Sequence, residues 1–158
     1  MQLDVLIARY VAGALPPTEL PSVAEQLILD GLDSESLTHL MLDHNPSNER
    51  RQALFERSIS ELGLSLPDKR DAAIVAAKHI AQSILDGTTS PYDGATYCWK
   101  VIRRDFDRVP SELWAFRSNA SAIEDCYADS EQFGTNHQVL IAQCTEEILE
   151  ACRSLLAL

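Results

Sequence analysis

The fold of this chain is decided by one stretch, DKRDAAIVAAKHIAQSILDGTTSPYDGA at residues 68–95. Alanine and isoleucine recur at helical spacing behind Asp68 and Asp71, two acids that suit the first turn of a helix, and Gly87 ends the pattern. Ser90 then predicts a new helix, because a serine cap, a proline at the first position and an acid three residues on satisfy free amides. Small side chains on many sides permit close packing, so we expect 68–86 to be the central helix.

Helical periodicity continues outward from this stretch in both directions. The predicted helices cover 3–11, 18 or 21 to 30, 34 up to a break at 45–46, 46–62, 68–86, 91–106 and 136–157. The segment 111–134 is poorly patterned, with two short helices predicted near 113–116 and 123–127. No segment alternates with period two over β-branched residues, so strands have little support. The sequence predicts an all-α fold, a single-domain compact bundle of about six to eight helices spanning 1–158, with one core.

In two predicted helices, residues that recur at spacings of three and four mark one buried face, which we call the inner stripe. In the helix that begins at 91 the stripe is Tyr92, Ala95, Trp99, Ile102 and Phe106. In the last helix it is Leu140, Cys144, Ile148, Cys152 and Leu155.

Charge is distributed unevenly along the chain. Residues 1–46 carry a net charge of −6, residues 47–110 carry +1, and residues 111–158 carry −6, which gives −11 in total. Acidic ends repel nucleic acid and anionic membrane and favour a basic protein partner. We therefore expect no nucleic-acid or membrane binding.

We expect the protein to be cytoplasmic, because the sequence shows none of the signals that direct a chain elsewhere. There is no export signal and no apolar run long enough to cross a bilayer. In such a chain the four cysteines at 98, 126, 144 and 152 are expected to be reduced, buried thiols. The pattern leaves open whether the protein is a monomer or a homodimer.

Motifs that would name a reaction are missing from the sequence. Nucleophile elbows, phosphate-binding glycine loops, paired CxxC motifs and HExxH do not occur, so an enzyme is disfavoured and no cofactor is expected. The set of residues that comes nearest to a metal site is Glu35, His39, Asp43 and His44. The same spacing is also expected for the solvent-exposed face of a short amphipathic helix. Acidic residues lie among the basic cluster of Lys100, Arg103, Arg104 and Arg108, so the sequence gives little support for phosphate binding there.

An acidic cluster in 111–134 is the strongest candidate for a partner-binding surface. It consists of Glu124, Asp125, Asp129 and Glu131, accompanied by Trp114, Phe116, Tyr127 and Phe133. Aromatic anchors ringed by carboxylates are typical of a surface that docks onto a basic protein, although a solvated face with core aromatics has the same composition. Asp30, Asp33 and Glu35 are predicted to extend this surface or to form a second one.

The segment AQSILDGTTSPYDGA at 81–95 resembles the helical hairpins of small all-helical bacterial proteins, including some colicin-type immunity proteins. The resemblance implies a bacterial, non-enzymatic protein of a kind that binds and blocks a toxin. Our leading hypothesis is an immunity protein that neutralises a cognate, basic, nuclease-type toxin by occluding its active site. The alternatives are an adaptor or chaperone of a secreted effector, and a metal-dependent enzyme built on the Glu35, His39, Asp43 and His44 set.

Overall fold

The computed structural model describes residues 3–42, 47–102 and 110–158. Within these ranges the chain forms eight α-helices and no β-strand. The helices are α1 (Leu3–Val11), α2 (Leu20–Leu29), α3 (Glu35–Leu42), α4 (Asn48–Glu61), α5 (Lys69–Leu85), α6 (Pro91–Tyr97), α7 (Trp114–Phe133) and α8 (Gln138–Leu156). The prediction of an all-α bundle of six to eight helices is confirmed.

Three short helical turns extend these elements. Pro17–Glu19 and Ser111–Leu113 are 3₁₀ turns that lead into α2 and α7, and Cys98–Ile102 continues α6 as a π-helical turn. In the part of the chain that the structure describes, no helix has both the length and the apolar character needed to cross a membrane.

The helix ends of the deciding stretch form as the sequence predicts. The Asp68 side chain accepts a hydrogen bond from the Asp71 amide at 3.0 Å, and Gly87 ends α5 with φ +74°. The Ser90 hydroxyl oxygen accepts a hydrogen bond from the Asp93 amide at 3.1 Å, and the same hydroxyl donates one to the Asp93 carboxylate at 2.6 Å. The acid therefore bonds to the capping hydroxyl, whereas the sequence had predicted a bond to the capping amide.

The start of α4 differs from its prediction. We predicted a proline at the first helical position, but Asn45 and Pro46 lie outside the described residues. The described helix begins at Asn48, because the Ser47 side chain accepts from the Arg50 amide at 3.2 Å and caps the first turn.

The segment 111–134 is where the prediction of two short helices is wrong. The structure has one continuous helix, α7, because buried Phe116, Ala120 and Ile123 follow at spacings of four and three residues on one stripe. The polar residue Asn119 interrupts this stripe in the sequence. In the helix its side-chain amide donates to the Ala115 carbonyl oxygen at 3.0 Å, which allows it to be buried.

The two predicted inner stripes are largely confirmed. Ala95 and Ile102 are fully buried, Tyr92 and Trp99 are half-buried, and Phe106 lies outside the described residues. The π-helical turn adds Cys98 to the core, since it shifts the helical register at this point. On α8 the stripe is buried except at Leu140, which is 44% exposed, so that assignment was wrong.

The buried side chains form two clusters instead of the single core that we expected. The first, built from α1 to α4, contains Leu20, Leu37, Leu40 and Phe55, all fully buried. The second, built from α5 to α8, also includes Ala12 and Ala14 from the turn and loop that follow α1. α1 contributes to the first cluster and packs along α5, and the turn that follows it contributes to the second cluster, so this part of the chain joins the two halves of the bundle.

Candidate functional site

The four acids of the candidate surface lie on α7, but the helix divides them between its two sides. Glu124 accepts a hydrogen bond from Lys100 Nζ at 2.6 Å, on the side where α6 packs. Glu131 is seven residues on and follows Glu124 along that side. Asp125 and Asp129 lie on the other side, where they line a pocket together with His137 and Leu140 at the start of α8.

Asp129 forms a contact between α7 and the residue that precedes α8. Its carboxylate lies 2.5 Å from His137 Nε2, and His137 is the residue that precedes the first turn of α8. The hydrogen bond to His137 is the main cause of the lowered pKa of Asp129. The pair is half-exposed, so it adds a fixed orientation to the hairpin and only a modest stabilising free energy.

Two pockets lie on the outer surface along the α7–α8 pair, and we call them together the α7–α8 groove. One part, with a volume of about 310 Å³, is lined by Ala122, Asp125, Cys126, Asp129, His137 and Leu140. The other part, of about 400 Å³, is lined by Glu112, Ala115, Glu147, Glu150, Ala151, Ser154, Leu155 and Leu158. Ala115, Ala122 and Asp129 recur every seven residues, so both parts lie on one side of α7.

The aromatic side chains proposed with the acids do not form one patch. Tyr127 is 49% exposed and packs edge-on against Tyr92, with ring centroids 5.5 Å apart. Trp114 is 55% exposed under the Arg117 guanidinium, and thirteen residues of helix place it about 20 Å from Tyr127. Phe116 belongs to the core.

Exposed apolar side chains cluster where the two helices meet at their connection. Phe133 at the end of α7 is 69% exposed, and Val139 and Leu140 at the start of α8 are 85% and 44% exposed. Sequence reasoning placed Leu140 inside and did not assign Val139 to this surface. The signal that was available is the short connection at Gly134, which brings the tips of both helices together.

The second acidic set, Asp30, Asp33 and Glu35, is exposed and lies at the connection of α2 and α3. Asp30 accepts from the Gln26 side chain at 2.8 Å. Because α2 and α3 pack on each other and on α4, whereas α7 packs on α6 and α8, this set forms a surface of its own in the first half of the bundle.

Only half of the predicted metal set is described. Glu35 and His39 lie 3.5 Å apart one helical turn from each other, while Asp43 and His44 lie outside the described residues. Over 3–42, 47–102 and 110–158, no three histidine, cysteine or carboxylate side chains are grouped as metal ligands. Of the basic cluster only Lys100 is described, and it is paired with Glu124.

The four cysteines are free and buried, as predicted. Burial raises the pKa of Cys98 to about 12 and that of Cys152 to about 11, so both thiols stay protonated at neutral pH. Neither is a nucleophile under these conditions.

A cleft of about 800 Å³ lies between the loop after α1 and the helices α4 and α6. The Tyr10 hydroxyl donates to Glu56 at 2.7 Å, and the Tyr97 hydroxyl donates to the Ala14 carbonyl oxygen at 3.3 Å. Burial and, next, the bond to Glu56 raise the pKa of Tyr10. These bonds tie the loop and α1 to their neighbours, which gives the cleft walls a structural role.

The chain matches no protein-family model, no curated protein and no solved structure. The description that the fold and the candidate site support is an all-helical bundle whose last hairpin carries an acidic groove and exposed apolar side chains.

Proposed function

We propose that this chain is an immunity protein, which binds a basic protein toxin in the cytoplasm and blocks its active site. The observation that carries the proposal is the coincidence, on the α7–α8 hairpin, of exposed apolar side chains with unneutralised carboxylates. Apolar anchors supply most of the binding free energy of a protein interface, and a charged rim directs the partner to it.

The charge of this hairpin supports a basic partner. Residues 111–158 carry a net charge of −6. Asp125 and Glu131 have no ion-pair partner among the described residues, so their charges remain available to a ligand. An inhibitor of a lethal enzyme gains from fast association, and opposite charges raise the association rate.

The apolar anchors are Phe133, Val139 and Leu140. A single exposed apolar residue is ordinary, but these three flank the same connection between two helices. The free, buried cysteines fit a reducing compartment, which supports the cytoplasmic part of the proposal.

The test begins with capture of a partner by the tagged chain from its host lysate at low and high salt. We expect a stoichiometric basic protein, bound more weakly at high salt, that kills cells when it is expressed alone and is harmless when co-expressed with this chain. A captured partner that is harmless when expressed alone would overturn the immunity function and favour the adaptor alternative.

Charge reversal then tests the surface. The double variant Asp125→Lys/Glu131→Lys breaks no ion pair within 3–42, 47–102 and 110–158 and is expected to weaken toxin binding by about tenfold or more. The matched control Glu25→Lys/Asp33→Lys changes the net charge equally on α2 and the α2–α3 connection, where both acids are exposed. If the control weakens binding and the α7 variant does not, the toxin binds the α2–α3 surface instead.

A further inference from the structure

We propose that the α7–α8 groove receives one amphipathic, basic helix of the partner protein. The inference rests on the proposed function, because it names the element by which the toxin is held. It comes from the shape of the groove, its floor and the charge of its rims.

The length of the groove suits a helix. The two parts of the groove together extend along α7 from Ala115 to Asp129, a rise of fourteen steps or about 21 Å, which is the length of about four helical turns. The groove lies between two antiparallel helices, so a third helix can pack along both. The opposite side of the same pair is already occupied by α6.

The residues at the bottom of the groove are small enough for a partner helix to pack closely against α7 and α8. Ala115, Ala122 and Ala151 are half-buried and carry no side chain beyond Cβ, so a helix axis can come within the usual 8–10 Å packing distance. Leu140 at one end is 44% exposed and Leu158 at the other is 74% exposed. These two leucines provide apolar contacts at the ends of the groove, where an amphipathic helix would place its own apolar residues.

The acidic residues along the edges of the groove favour a basic helix as its ligand. They carry the carboxylates of Glu112, Asp125, Asp129, Glu147 and Glu150. Arg70 pairs with Glu112 and Arg153 with Glu150, but Asp125 and Glu147 have no basic partner among the described residues. A second copy of this chain would place acidic rims against acidic rims, so charge complementarity favours a basic helix of another protein.

The test uses a fluorescein-labelled synthetic peptide of about 16 residues, made of lysine and leucine with the leucines at helical spacing. Its scrambled counterpart has the same charge but no apolar face. Anisotropy titrations at about 0.15 M ionic strength are expected to show binding about tenfold tighter for the amphipathic peptide. Equal affinities for the two peptides would overturn the proposal, since charge alone would then explain binding.

Replacing alanines at the bottom of the groove with larger neutral residues tests whether the peptide binds there, without changing the charge. The double variant Ala122→Gln/Ala151→Gln adds bulk in the groove and is expected to weaken peptide binding by about tenfold. The matched control Ala53→Gln/Ala128→Gln makes the same change at exposed alanines of α4 and α7 outside the groove and is expected to leave affinity unchanged. Circular dichroism of both variants verifies that the helices remain intact.

The result separates this inference from the proposed function. If the groove variant and its control bind the peptide equally, the groove is not the docking site, even where toxin capture succeeds. If the peptide binds in the groove and the captured partner is harmless, the groove inference is retained and the immunity function is overturned.

Discussion

At the scale of single residues, the carboxylate of Glu61 connects the start of α3 with the end of α4. It accepts hydrogen bonds from the Ser34 hydroxyl at 2.6 Å and from the Ser36 amide and hydroxyl at 3.0 and 2.7 Å. Arg57 Nε donates a further bond at 2.9 Å. These bonds, that of Ser34 first, lower the pKa of Glu61 to about 2 from an ordinary value of 4.5.

This pKa predicts how stability depends on pH. Since the carboxyl pKa is lower in the folded chain than in the unfolded one, Glu61 stabilises the fold above pH 4.5 and loses that contribution as the pH falls towards 2. Glu61→Gln is therefore expected to be less stable than the parent chain at pH 7 and equal to it near pH 2. Urea unfolding across this range measures the difference, and Glu25→Gln, an exposed site on α2, is the control. A difference that does not change with pH would contradict the assignment.

At the scale of secondary-structure elements, the contact between α5 and α6 depends on a glycine. A Cβ at Gly94 would lie 2.5 Å from Ile84 Cδ1 and 2.7 Å from Ile84 Cγ1. Ile84 is 3% exposed and belongs to the second core cluster, so it has little room to move. The two helices can pack this closely because residue 94 has no Cβ.

We expect Gly94→Ala to lower the free energy of unfolding by about 1–2 kcal/mol. Overpacking costs roughly 1–3 kcal/mol, and the better helix propensity of alanine offsets up to about 1 kcal/mol of it. Ile84→Val removes the nearest carbon, so the double variant should be more stable than the sum of the two single changes predicts. Urea unfolding of the four proteins measures this coupling, and strictly additive effects would show that the two side chains do not compete for space.

At the scale of the whole molecule, α1 links two core clusters that are otherwise built from different halves of the chain. Leu6 and Ile7 belong to the first cluster, while Ala12 and Ala14, just beyond the same helix, belong to the second. Both tryptophans, Trp99 and Trp114, lie in the second half. Tryptophan fluorescence therefore reports on α5 to α8, and far-ultraviolet circular dichroism reports on all helices.

We expect the two halves to unfold together, with the same urea midpoint by both methods. Phe55→Ala in the first cluster is expected to cost about 3–5 kcal/mol, and the milder Ile59→Val about 0.5–1.5 kcal/mol. Both should move the fluorescence midpoint although neither residue is in the half that carries the tryptophans. A fluorescence midpoint that stays in place while the circular dichroism changes would show two independently folding halves.

The sequence by itself determined the helical class and most helix ends. Asp68, Gly87 and Ser90 act within one turn of themselves, so their capping role can be predicted without knowing the fold. The candidate acids were found in the same way, since charge is a property of composition. The resemblance, the toxin partner and the choice of surface remain predictions.

Only the tertiary structure decided which side chains meet. Leu140 has the spacing of a core residue, but it lies beyond the reach of the second cluster and is exposed at the α7–α8 groove. The pairing of Glu124 with Lys100 and of Asp129 with His137, and the two core clusters in place of one, also depend on contacts between residues that are apart in the chain. Periodicity specifies which face of a helix is apolar, whereas burial requires a neighbouring element to cover that face, and the sequence does not say where each neighbour ends.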